Sequence, residues 1–205
     1  MESPEAVNIL IYALIKEHEE MRELDKSEGI DVEDPSYAPM SYITECLKAF
    51  KQYRRSRIVM EFETKIPNNL SPMQMRQRMQ TLDRERRYAH NDALGSVNGL
   101  NRSLKRYGLP KLYTGIELTD DDITAHSNHQ VIGSYTDFFF DLLNKIENMS
   151  INTRDLRLEN SKESDQAIDV LRTVARSIHK DDRDYGVKEP ISSDRKPIRF
   201  EGFDR

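Results

Sequence analysis

Asp83, Arg86, Arg87, His90 and Asn91 fall at steps of three, four or one inside the run Asp83-Arg84-Glu85-Arg86-Arg87-Tyr88-Ala89-His90-Asn91-Asp92, which interrupts a long helical pattern. Residues three or four apart share one face of a helix. A guanidinium forks onto a carboxylate or phosphate, and an imidazole exchanges its proton near neutral pH. The stripe continues through Asn98, Asn101 and Arg102 beside an apolar strip. Polar groups on a packing face cost stability unless they satisfy one another or hold something. Two readings follow. In the first, the cluster is a buried network that fixes helix register, with Asp83 paired to Arg87. In the second, it is a ligand or catalytic site in which Arg84 or Arg86 works with His90.

The separation of Arg84 from His90, with five residues between them, resembles the Arg-x(4–6)-His signature of HEPN-type ribonucleases. That resemblance implies a metal-independent endoribonuclease whose arginine and histidine, usually completed by a dimer mate, activate a ribose 2′-hydroxyl and stabilise the phosphate. Glu85 departs from the family pattern, because its charge repels phosphate where a polar residue usually stands. A longer stretch is similar to the core of an uncharacterised family of small helical proteins from Firmicutes, their phages and mobile elements. The matching residues are Leu82-Asp83, Arg86-Arg87, His90-Asn91-Asp92-Ala93-Leu94, Val97, Leu100-Asn101-Arg102 and Tyr107-Gly108-Leu109-Pro110. That similarity implies an all-helical fold and a phage or mobile-element origin, and carries no activity.

Other candidate chemistry is thinner. Asp122, His126 and His129 lie at i, i+4 and i+7, a spacing that places a carboxylate and two imidazoles on one face. The segment reads equally as a solvated turn of helix, so neither a metal nor a cofactor is expected. His18 stands among glutamates and His179 precedes Lys180, and both are expected at the surface. The chain has no Gly-rich phosphate loop, nucleophile elbow, HExxH or CxxC, which removes the enzymes built on those motifs. Cys46 is the single cysteine, which excludes an intrachain disulfide, and it falls on an apolar face as a packing residue.

Charge is distributed unevenly. The net charge is −5, yet residues 67–113 carry nine basic against three acidic residues, and the segments on either side are acidic. Acidic neighbours can neutralise this basic element. Alternatively, Arg76, Arg78, Arg84, Arg87, Arg102, Lys105, Arg106 and Lys111 can follow a nucleic-acid backbone. No helix-turn-helix spacing accompanies them, and aromatic residues are sparse on the helix.

The elements that must position these residues are helices. At 205 residues and 33% charged, with mean hydropathy −0.77, the chain suits one domain of elongated helices. Ser3-Pro4-Glu5 opens a first helix running to about Leu24, and a connecting loop covers residues 27–40. A second helix starts near Ser41 and ends before Pro67. Its apolar face is Ile43, Leu47, Phe50, Ile58 and Phe62, and Lys51, Arg54, Arg55 and Arg57 fall on its solvated side.

The third helix, about 71–107, opens at Ser71-Pro72 and closes at Gly108. Its seam runs from Met75 through Leu82, Ala93 and Leu100 to Tyr107, and Gly95 and Gly99 are placed to let another backbone come close. A fourth helix begins at Thr119-Asp120, with a break near Gly133-Ser134, and a fifth covers roughly 161–180. Residues 181–205 read as an extended or disordered tail.

The expected architecture is therefore an all-α bundle of four to five helices around one long central helix, with residues 1–180 as a single domain and a flexible C-terminal tail. The N-terminus lacks the basic region of a signal peptide and no apolar run is long enough to span a bilayer, so a cytoplasmic protein is expected. The leading functional expectation is a non-enzymatic interaction or regulatory module that binds a protein partner or a second copy of itself, with the Arg/His/Asn cluster as its network or groove. The alternatives are the HEPN-like ribonuclease and a nucleic-acid-binding protein acting through residues 67–113.

Overall fold

A computed structural model describes residues 3–34, 37, 39–65, 69–125, 129–148, 168–173, 176–177 and 180. It is an all-α bundle of α1 (Ser3–Ser27), α2 (Tyr42–Lys65), α3 (Pro72–Arg106), α4 (Asp120–Ala125) and α5 (His129–Asn148). No strand occurs among the described residues.

The 35 residues of α3 make a spine of about 50 Å. Its ends follow from local chemistry. The Ser71 hydroxyl accepts the Gln74 N–H at 3.3 Å and the Gln74 side chain accepts the Ser71 N–H at 2.9 Å, a reciprocal cap. At the far end Gly108 takes φ +69°, a left-handed conformation that a side chain would strain. Its N–H reaches the Lys105 carbonyl and the Leu109 N–H reaches that of Leu104, which satisfies two carbonyls that the helix leaves open.

The α2 helix runs antiparallel to α3. Tyr42 lies against Gly99, Tyr53 against His90 and Glu63 against Arg78, so rising numbers on one helix meet falling numbers on the other. The main core lies where this pair meets α1 and α5. Leu10, Ile11 and Leu14 enter it from α1, Leu47 and Phe50 from α2, Leu94, Leu100 and Leu104 from α3, and Tyr135 and Phe139 from α5. Ile168 and Leu171, in the helical stretch 168–173, are buried in the same core. A second, smaller cluster of Met60, Met79 and Leu82, flanked by Val59 and Met75, belongs to α2 and α3 alone.

Several sequence expectations need correction. Arg54 is not solvated: it is 4% exposed, with its guanidinium 4.4 Å from the centre of the Phe140 ring. Phe62, expected inside, is 46% exposed. Gly95 and Gly99 admit no neighbouring backbone. A side chain at Gly99 would meet the Tyr42 ring at 3.2 Å, and one at Gly95 would meet no other element of the described residues within 4 Å. The fourth predicted helix is two helices, and Gly133 and Ser134 lie within α5 instead of at its break. His18 is half-buried, with Nε2 enclosed and without a hydrogen-bond partner among the described residues.

Cys46 is fully buried, and burial pushes its thiol up to about 12 despite a Ser96 hydrogen bond that acts the other way. The predicted tail at 181–205, His126, His179 and most of the predicted fifth helix lie outside the described residues.

Candidate functional site

The polar stripe lies on one unbroken helix, yet its members separate into three environments. Near the middle of α3, Asp83 accepts from both Arg86 and Arg87 at 2.8 Å. Arg86 is the more enclosed of the two, and Arg87 reaches the second carboxylate oxygen from the exposed side. The expected Asp83–Arg87 pair is therefore present, with Arg86 as a third member. A single carboxylate between two guanidiniums orients both, which is the ordering role expected of a network.

One turn beyond Arg86 and on the same face, His90 is enclosed. It is 0% exposed, its ring meets Tyr53 edge-on at 6.0 Å between centroids, and Nδ1 lies 3.3 Å from Asn91 Oδ1. That oxygen can only accept, so the contact is a hydrogen bond in the tautomer that carries its proton on Nδ1. Arg84 is exposed, on a different side of the helix. The candidate pair Arg84 and His90 is thus not brought together at one surface. A general base needs hydrogen-bond reach to its substrate, which a histidine sealed under α2 lacks in this arrangement.

The third environment is open. Asn98, Arg102 and Lys105, at steps of four and three, form one wall of a cleft of about 630 Å³. The opposite wall is the segment that follows α3, including Lys111 and Tyr113, with Asp120 at the start of α4. Three anchors hold that segment in place. Asn101 Oδ1 accepts the Leu112 N–H at 2.7 Å, the Tyr135 hydroxyl donates to the Leu112 carbonyl at 3.3 Å, and the Thr114 and Ser134 hydroxyls meet at 2.8 Å. Asn101 therefore builds the cleft wall.

The basic residues divide according to who answers them. Arg78 pairs with Glu63 at 2.9 Å, Arg106 pairs with Glu20, and Lys111 approaches Glu117 at 3.6 Å. Arg76 and Arg84 stand exposed, apart from the cleft. Among the described residues, Arg102 and Lys105 engage no carboxylate. A cation in the last turn suits the helix dipole, but the dipole does not require it to line a concavity. The basic segment 67–113 is thus partly neutralised by α1 and α2 and partly concentrated in the cleft.

Of the three metal candidates Asp122, His126 and His129, His126 lies outside the described residues. Asp122 caps α4, accepting from the Thr119 N–H at 2.9 Å and the Thr119 hydroxyl at 2.7 Å. His129 faces cations: desolvation, then the charges of Arg86 and Arg57, hold its imidazole below the ordinary range.

Some residues that organise the site were not singled out from the sequence. Glu17, 3% exposed, accepts from Ser41 on one side and Ser103 on the other, tying α1 to α2 and α3. The signal was present, since Glu17 continues the Leu10–Leu14 stripe just as His90 continues that of α3. Arg54 follows Leu47 and Phe50 in the same manner. Tyr113 gave no such signal, because its place depends on a loop.

No helix among the described residues is long and apolar enough to cross a membrane. No family model matches the chain, and no match was found among curated proteins or solved structures.

Proposed function

We propose that this protein is a non-enzymatic interaction module whose binding surface is the cleft between the C-terminal half of α3 and the segment 109–120, and that its partner is anionic there. The observation that carries this reading is the pair Arg102 and Lys105. They are adjacent cations on one face, unanswered by any carboxylate of the described residues, and they line a cleft of about 630 Å³. Like charges held together repel, and an anion between them relieves that repulsion. The Asp83, Arg86, Arg87 and His90 cluster then serves the fold: it orders the middle of the spine and does not meet the partner.

A chain with net charge −5 has no overall attraction to a polyanion, so retention on immobilised heparin tests the local field. The expected result is salt-sensitive retention that the double variant Arg102→Glu, Lys105→Glu abolishes. Arg76→Glu with Arg84→Glu, on the same helix but away from the cleft, leaves retention in place. No retention of the unaltered protein, or equal loss with both double variants, overturns the reading.

A further inference from the structure

The cleft has a chemical asymmetry beyond its charge. One wall carries Arg102 and Lys105, with the Asn98 amide one turn earlier. The other carries Tyr113, a residue 49% exposed whose hydroxyl donates to the Gly115 carbonyl at 2.9 Å. That bond fixes the ring at the rim with area left open, so ordering it costs little when a flat group settles on it. Gly115, at φ +93°, makes the turn that brings its carbonyl back to the hydroxyl. Among the described residues that line the cleft, Asp120 is the only carboxylate, and it stands at the start of α4.

A ligand that satisfies both walls carries negative charge along one edge and a flat, hydrogen-bonding ring on the other. An acidic peptide satisfies the first wall and leaves Tyr113 without a flat partner. A duplex is too broad for a cleft of this size and hides its base faces. A single strand presents phosphates on one side and unstacked bases on the other, and proteins that bind such strands combine cations along the backbone with aromatic platforms. Resting on the reading that the cleft takes an anion, we propose that its partner is single-stranded nucleic acid, with phosphates on Arg102 and Lys105 and a base stacked on Tyr113. Asp120 then accepts from a base amino group or a ribose hydroxyl, which keeps phosphate on the α3 wall. Lys111, already near Glu117, adds to the attraction at the rim.

Fluorescence anisotropy of the full chain with a labelled RNA of about ten nucleotides, its DNA counterpart and a labelled poly-glutamate tests this. The expected result is binding of the oligonucleotides well above poly-glutamate. Tyr113→Leu weakens it about tenfold, within the range for loss of one stacked base, and Tyr113→Phe retains it. Arg102→Ala lowers the slope of log affinity against log salt by about 0.7, the share of one phosphate on a single strand. Equal binding of poly-glutamate, with Tyr113→Leu unchanged, overturns the nucleic-acid assignment and leaves an anionic partner of another class, such as an acidic protein. Absence of binding to every polyanion, or binding that Arg102→Ala and Lys105→Ala leave untouched, removes the assignment together with the reading beneath it.

Discussion

Ser41 gives its hydroxyl proton to Glu17 at 2.6 Å, and the same oxygen accepts the backbone N–H groups of Ile43 at 3.1 Å and Thr44 at 3.3 Å. One side chain thereby caps α2 and fastens it to α1. Ser103 of α3 donates to the other carboxylate oxygen, so three helices meet at a single buried group.

Glu17→Ala should cost about 2–4 kcal/mol of unfolding free energy, because two serine hydroxyls lose a charged acceptor inside the core. Urea denaturation followed by circular dichroism gives the value. A change within about 0.5 kcal/mol would mean that the two serines find other partners and that the three-helix knot contributes little.

His90→Ala should lower stability by about 2–4 kcal/mol, since it empties a fully enclosed ring site beside Tyr53. Arg84→Ala, at an exposed position on the same helix, should stay within about 0.5 kcal/mol. Paired thermal melts compare them directly. Similar effects of the two variants would contradict the burial that separates these residues.

Stability should fall on acidification. Burial holds His18 below its ordinary value of 6.5, so the fold favours the neutral imidazole and the unfolded chain takes up the proton more readily. The contribution is fully present above about pH 6.5 and is lost as pH falls toward the lowered folded value. His129 acts in the same sense, through desolvation and the nearby Arg86 and Arg57. Urea midpoints at about pH 7.5 and 5.5 should differ less in His18→Gln than in the unaltered chain. An identical pH response in the two proteins would remove His18 from the account.

The spine was readable because its signals are local: Ser71 and Pro72 are adjacent, and Gly108 precedes Pro110 by two. The division between α4 and α5 was not, because Gly133 looked like a break. It is accommodated in α5, where Val131, Ile132 and Tyr135 pack into the core around it. Packing of that kind outweighs the roughly 1 kcal/mol that glycine costs a helix. Periodicity also placed His90 and Asn98 on one stripe, correctly as to spacing. It could not say that α2 would seal the first while the second faced a cleft, since that depends on which helices lie across each turn. Arg54 was misplaced for the same reason: the Phe140 ring that covers it comes from a helix about ninety residues on.

The small cluster of Met60, Met79 and Leu82 has a mechanical consequence. At that end α2 and α3 meet only each other among the described residues, through methionines, Val59, Leu82 and the Arg78–Glu63 pair, while their opposite halves are gripped by α1 and α5. Local opening of the hairpin should therefore begin at that end, before the root, where α1, α2, α3 and α5 pack together.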